Sequence, residues 1–173
     1  IRPLDARRAR GRSSRGRMSG PGAGGGKIRK IKNAVCIAEK MIKISKKIQE
    51  EMIAHANAGF PNEACGILAG DLKKGSTSHF FPMMNLDESS ISYFMDPKEQ
   101  LFIFKKIRDA GIEMTGIFHS HVASEAYPSQ KDVRLAFYPE VSYLIVSLSD
   151  KKKPILRSFK IKDEKAIEEI IDI

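Results

Sequence analysis

Apolar residues at 44, 48, 52, 53 and 56 recur at helical spacing and predict an amphipathic helix over 45–58, stopped by Gly59-Phe60-Pro61. The apolar run 64–69 reads as a buried strand and 70–75 as a turn. Residues 77–84 read as the next strand, with Pro82 marking an edge or a bulge. After a polar loop at 85–92, Asp96-Pro97-Lys98-Glu99 signals a helix start, with Asp as the cap, Pro at the first position and Glu at the third. Leu101, Phe104 and Ile107 then predict a broadly buried helix that Gly111 ends. Residues 112–121 read as a strand, mostly apolar or β-branched as far as Phe118. Val133, Ala136 and Phe137, spaced i, i+3 and i+4, predict a short helix over 129–137 with Ser129 at its cap. The run 141–148 is almost wholly apolar, as in a central strand covered on both faces. A turn at 150–153 leads to a strand at 155–161. The last apolar positions, Ile167, Ile170 and Ile171, also fit helical spacing, so 167–173 is open between helix and strand.

Helices interleaved with strands define an α/β or α+β class with a mixed sheet flanked by helices. The 173 residues suit one domain with a core of ordinary size. The net charge of +9 is unevenly placed. Residues 1–40 hold 12 Lys/Arg against 2 Asp/Glu, and residues 41–173 hold 18 against 19. The basic head is rich in Arg, Gly and Ser, with a glycine run at 22–26 broken only by Ala23, and reads as disordered. The chain starts at Ile1, Met18 and Met41 are candidate initiators, and the domain pattern begins at Met41. The head is therefore read as vector-derived or upstream sequence without function, in preference to a basic arm for RNA. The neutral remainder argues against nucleic acid as a partner beyond a weak contact through the head. Two cysteines, Cys36 and Cys65, imply no disulfide framework and fit a reducing, cytoplasmic setting. No apolar run approaches the roughly 18 residues of a membrane span, so no membrane partner is expected.

The chemistry concentrates between His119 and Asp132. On a strand, His119 and His121 share a face, with Cα atoms about 6.5 Å apart, and their imidazoles can converge on one metal ion. Ser120 points the other way. Asp132 falls on the first turn of the following helix. Two His and one Asp leave a tetrahedral ion one open position, which marks a catalytic rather than a structural zinc site, where the pKa of water falls to about 7. The best carboxylate for a general base is Glu63, at the mouth of the apolar run 64–69, where burying a lone charge is costly. Ser129 and Asp132 also form a Ser-x-x-Asp helix start that needs no chemistry, and the two readings can coexist. His55 is read as a partly exposed helix residue and His79 as a solvent-facing strand residue. Cys65 would share the face of Glu63 on a regular strand, but a small buried hydrophobe is the preferred reading over a zinc ligand.

His119-Ser120-His121, seven residues, Ser129, two residues and Asp132, with Glu63 upstream, resembles the motif of the JAMM (MPN-plus) metalloproteases. Stretches 61–68, 93–97 and 141–147 look like the compact prokaryotic branch, and the resemblance covers about 41–162. It implies a cytidine-deaminase-like sandwich holding one zinc ion on His119, His121 and Asp132. Glu63 would be the general acid/base, and Ser129 would donate a hydrogen bond to the oxyanion. The implied activity is a zinc peptidase or isopeptidase that cuts an amide bond after the C-terminal glycine of a ubiquitin-like or sulfur-carrier protein. Val122 stands where the family usually has Pro, a departure that removes no ligand. The short connection between Asp132 and Val141 has no room for the insertion with which eukaryotic relatives grip ubiquitin chains. The alternative is an inactive scaffold or interaction domain of the same fold, but such relatives typically lose ligands. The sequence leaves the oligomeric state open.

Overall fold

The computed structural model describes residues 41–173. The basic head, with Cys36 and the reading of residues 1–40 as disordered, lies outside the described residues. Ten elements follow in chain order. They are β1 (Met41–Lys43), α1 (Lys46–Gly59), β2 (Cys65–Asp71), β3 (Ser76–Met83), α2 (Pro97–Asp109), β4 (Glu113–His121), α3 (Gln130–Arg134), β5 (Ser142–Ser147), β6 (Ile155–Lys162) and β7 (Lys165–Asp172). This is the α/β character with a mixed sheet that the pattern predicts.

The strands run in the order β1-β3-β2-β4-β5-β6-β7, and β7 pairs back to β1, so the sheet closes on itself. The pairings of β4 with β5 and of β1 with both its neighbours are parallel, and the rest are antiparallel. Closure between β1 and β3 rests on one residue pair, Lys43 with Ser76. Pro82 sits on β3 opposite Gly66 of β2, beyond the reach of β1, where its missing N–H leaves no ladder bond unmade.

Strand alternation sorts the core onto two faces. On one, Ile48, Met52 and Ala56 of α1 pack against Leu68, Phe118, Leu144 and Val146. On the other, Ile103 and Ile107 of α2 pack with Cys65, Ile67 and Ala69. Tyr143, Ile145 and Phe159 continue that layer toward α3. Every residue of β5 is buried, as its continuous apolar run predicts. α1 begins where predicted, with the Ser45 side chain accepting the Ile48 N–H at 3.3 Å. α2 begins with the Asp96 carboxylate accepting the Lys98 N–H at 2.9 Å and ends before Gly111, whose φ of +65° suits glycine. Glu99 does not complete the cap. It reaches back and accepts the Met84 N–H at 2.9 Å, tying α2 to the end of β3.

Three expectations change. The helix predicted over 129–137 is only the five-residue α3, and Phe137 is 73% exposed. Only Val133 and Ala136 of its apolar stripe reach the core, and so short a helix has little stability beyond its cap. In α2 the buried stripe is Ile103 and Ile107, while Leu101 faces outward. The ambiguous 167–173 segment lies mostly in strand β7, because its backbone pairs with both β6 and β1. Among the described residues, no helix is long and apolar enough to cross a membrane.

Candidate metal centre

β4 runs between β2 and β5, and its last residues carry the site. His119 lies opposite Cys65 on one side and Ile145 on the other, and His121 lies opposite Ser147. The imidazoles share a face as their spacing predicts, and their Nε2 atoms approach to 3.1 Å. Ser120 points away. Its hydroxyl accepts the Ala64 N–H at 2.8 Å, and its own N–H donates to the Ala64 carbonyl at 2.9 Å.

Asp132 arrives from the first turn of α3, where a complete capping box fixes it. The Ser129 N–H donates to Asp132 Oδ2 at 2.7 Å, and the Asp132 N–H donates to Ser129 Oγ at 3.2 Å. The same Oδ2 stands 3.5 Å from His119 Nε2 and 3.6 Å from His121 Nε2. One donor atom from each of His119, His121 and Asp132 lies within 4.8 Å of the others. The two imidazoles are almost wholly enclosed.

The electrostatics of the trio are strongly shifted. Burial pushes the His119 imidazolium toward deprotonation, outweighing the pull of Asp132. Burial acts the same way on His121, but the Asp132 carboxylate beside it and its hydrogen bond to the Glu125 carbonyl carry it above the ordinary histidine range. Burial alone would raise Asp132, yet the two imidazoles facing its carboxylate hold it far below the usual carboxylate range.

This set fits a divalent cation. His121 Nδ1 donates to the Glu125 carbonyl at 2.7 Å, which leaves Nε2 as the lone-pair nitrogen facing the centre. Two Nε2 atoms at 3.1 Å repel unless a proton or a cation lies between them. Two imidazole nitrogens and a carboxylate oxygen are a donor set that zinc accepts.

Glu63 joins the same cleft. With Ser90, His121, Ser129 and Asp132 it lines a depression of about 320 Å³. Its backbone is fully tied: its N–H donates to the Ser89 carbonyl at 2.8 Å, and its carbonyl accepts from Asn85 Nδ2 at 2.9 Å. Glu63 is 6% exposed. Burial raises its pKa to about 7, partly opposed by His121 and reinforced by Asp132.

The other candidates stand apart. Cys65 is buried between β3 and β4, and its Sγ lies 3.7 Å from the Met83 and Met84 carbonyls. Burial pushes its thiol up to about 12, which keeps it protonated and a poor ligand. His55 Nε2 meets the Cys65 carbonyl at 3.1 Å, and His79 is exposed and stacked on Phe81. Sequence reasoning missed two residues beside the site. Tyr93 stacks on the His119 ring, with centroids 4.8 Å apart and planes 23° apart. Asn85 bonds on either side of that tyrosine as well as to Glu63, taking the Phe94 N–H at 2.9 Å and donating to the Ser92 carbonyl at 3.0 Å. A polar loop residue gives no periodic signal, so only the fold exposes either role.

A closed mixed sheet with a His-His-Asp cluster at the end of a central strand defines the class. Residues 45–162 match the prokaryotic homologs of the JAB domain, and the chain belongs to that family. It is 40% identical over 122 residues to the CysO-cysteine peptidase of Mycobacterium tuberculosis, a match spanning 70% of this chain and 84% of that protein. It is 35% identical over 104 residues to the desampylase of Haloferax volcanii, spanning 57% of this chain and 75% of that one. A protein of Desulfitobacterium hafniense known from its solution structure shares 47% identity at a TM-score of 0.69, with 76% of this chain and 91% of that one covered.

Proposed function

We propose that the chain is a zinc-dependent isopeptidase that hydrolyses the amide bond after the C-terminal glycine of a ubiquitin-like or sulfur-carrier protein. Relatives named as a peptidase and a desampylase support a hydrolase. The observation that carries the reading is the convergence of His119, His121 and Asp132, with Glu63 lining the same cleft as His121 and Asp132. The substrate class rests on the resemblance and on those relatives. The cytoplasmic setting belongs to the same proposal and rests on Cys65 being a free thiol. The domain itself is taken as residues 41–173.

His119, His121 and Asp132 are the ligands. A zinc ion held by them would supply Lewis acidity, lowering the pKa of water and polarising a carbonyl. Glu63 takes a proton from the attacking water and returns it to the leaving amine. A carboxyl with a pKa near 7 is matched to both transfers. The Ser129 oxygen accepts the Asp132 N–H, so its hydroxyl proton remains available to the oxyanion. His121 is kept in one tautomer by the Glu125 carbonyl. A scaffold role gives no reason to keep all three ligands and a buried carboxylate together.

The test is cleavage of carrier-protein tail fusions by the full chain, with and without added zinc, beside Glu63→Gln. Cutting after the terminal glycine that needs zinc and is lost in Glu63→Gln is the expected result. A protein that neither binds metal nor cuts any fusion would move the assignment to the scaffold reading.

A further inference from the structure

The two histidines are oriented by different means. His121 is fixed by a hydrogen bond from Nδ1 to the Glu125 carbonyl. His119 has no such bond. Its Nδ1 is buried without a partner. The side chains nearest it in the sheet register belong to Cys65 and Ile145, which offer it no strong acceptor. Nothing polar therefore sets the rotation of the His119 ring from its outer nitrogen. What does lie against the ring is Tyr93, stacked at 4.8 Å with planes 23° apart.

Tyr93 is itself held by its chain neighbours. Asn85 takes the Phe94 N–H and donates to the Ser92 carbonyl, clamping the loop on both sides of the tyrosine. The bridge between Asn85 and Met95 extends the clamp. Its remaining donor bond runs to the Glu63 carbonyl. One asparagine thus ties the tyrosine loop to the strand end that carries the carboxylate.

We propose that Tyr93 is the positioning residue of His119: its ring, by stacking, does for this imidazole what the Glu125 carbonyl does for His121. It holds Nε2 toward Asp132 and His121, so the ion finds its ligands arranged in advance. The aromatic face carries this role and the phenol hydroxyl does not. The inference rests on the metal reading of the site.

The test is zinc affinity of the full chain, measured by competition with a chromophoric chelator, for wild type, Tyr93→Phe and Tyr93→Leu. Thermal melting of the metal-free forms is followed in parallel. Tyr93→Phe is expected to bind within about threefold of wild type. Tyr93→Leu, with no ring to stack, is expected to lose roughly 10–100-fold, the usual consequence of removing an outer support of a ligand. A cobalt-loaded Tyr93→Leu protein is expected to show a shifted visible band, which a general loss of stability would not produce. Tyr93→Leu binding as tightly as wild type overturns the role, and so does Tyr93→Phe falling as far as Tyr93→Leu. If the wild-type chain binds no zinc, the metal reading fails and this inference fails with it. Wild-type binding with an indifferent Tyr93→Leu removes this inference alone.

Discussion

Ser120 and Ala64 exchange two hydrogen bonds across β4 and the start of β2: the Ala64 N–H donates to Ser120 Oγ at 2.8 Å, and the Ser120 N–H donates to the Ala64 carbonyl at 2.9 Å. This clasp fixes the position of Glu63, one residue before Ala64, relative to the histidines on either side of Ser120. The middle residue of His-Ser-His therefore has a structural task on the face turned away from the candidate metal centre. Ser120→Ala leaves the buried Ala64 N–H without a partner. A loss of about 1–3 kcal/mol is expected from chemical denaturation, with zinc affinity retained and turnover reduced. Unchanged stability would show that water replaces the hydroxyl.

Much of this arrangement was legible in the sequence. The period of two along β4 places both imidazoles on one face, and the Ser-x-x-Asp spacing places Asp132 on the first turn of a helix. Both follow from local geometry, which short-range spacing encodes. The clasp does not, because Ser120 and Ala64 are 56 residues apart and no period links them. The same limit explains β7, where Ile167 and Ile170 fit a helix until the pairing with β1 and β6 decides. It also explains Phe137, apolar at helical spacing but beyond the end of α3 and exposed.

The raised pKa of Glu63 has a consequence for the metal-free protein. Its carboxyl is lifted from the ordinary 4.5 to about 7 in the folded state, first by burial. Between those values the folded chain holds a proton that the unfolded chain has released. Stability therefore falls as pH rises through this window, and the full cost is present above 7. Glu63→Gln removes that cost. The metal-free variant is expected to be more stable than wild type at pH 8 by about 1–3 kcal/mol and to differ little at pH 5. An equal difference at both values would mean that the Glu63 pKa is not raised in the folded chain. In the cleavage assay the same variant is expected to be nearly inactive.

Zinc should stabilise the fold by mass action. At free zinc a hundredfold above the dissociation constant the gain is about 2.7 kcal/mol, read as a rise in melting temperature. His121→Ala is expected to abolish the rise, since it removes a nitrogen from the trio. Cys65→Ala is expected to keep it. The thiol is packed in the α2 layer and held protonated by a pKa pushed up to about 12. A Cys65→Ala protein that loses its zinc would make Cys65 a fourth ligand and close the open position.

Ser129 serves two ends, and its removal can separate them. Its oxygen caps α3 by accepting the Asp132 N–H, and its N–H donates to the Asp132 carboxylate. Ser129→Ala keeps the second bond and loses the first. The cap loss is expected to cost about 1 kcal/mol, visible as a lower melting point. If the hydroxyl proton also serves the oxyanion, kcat falls by about 100-fold or more while KM barely moves, because a group acting only on the transition state leaves ground-state binding intact. Ser129→Thr keeps the hydroxyl and should restore most of both. A lower melting point with unchanged kcat would assign the residue to the cap alone and leave the ion as the stabiliser of the oxyanion.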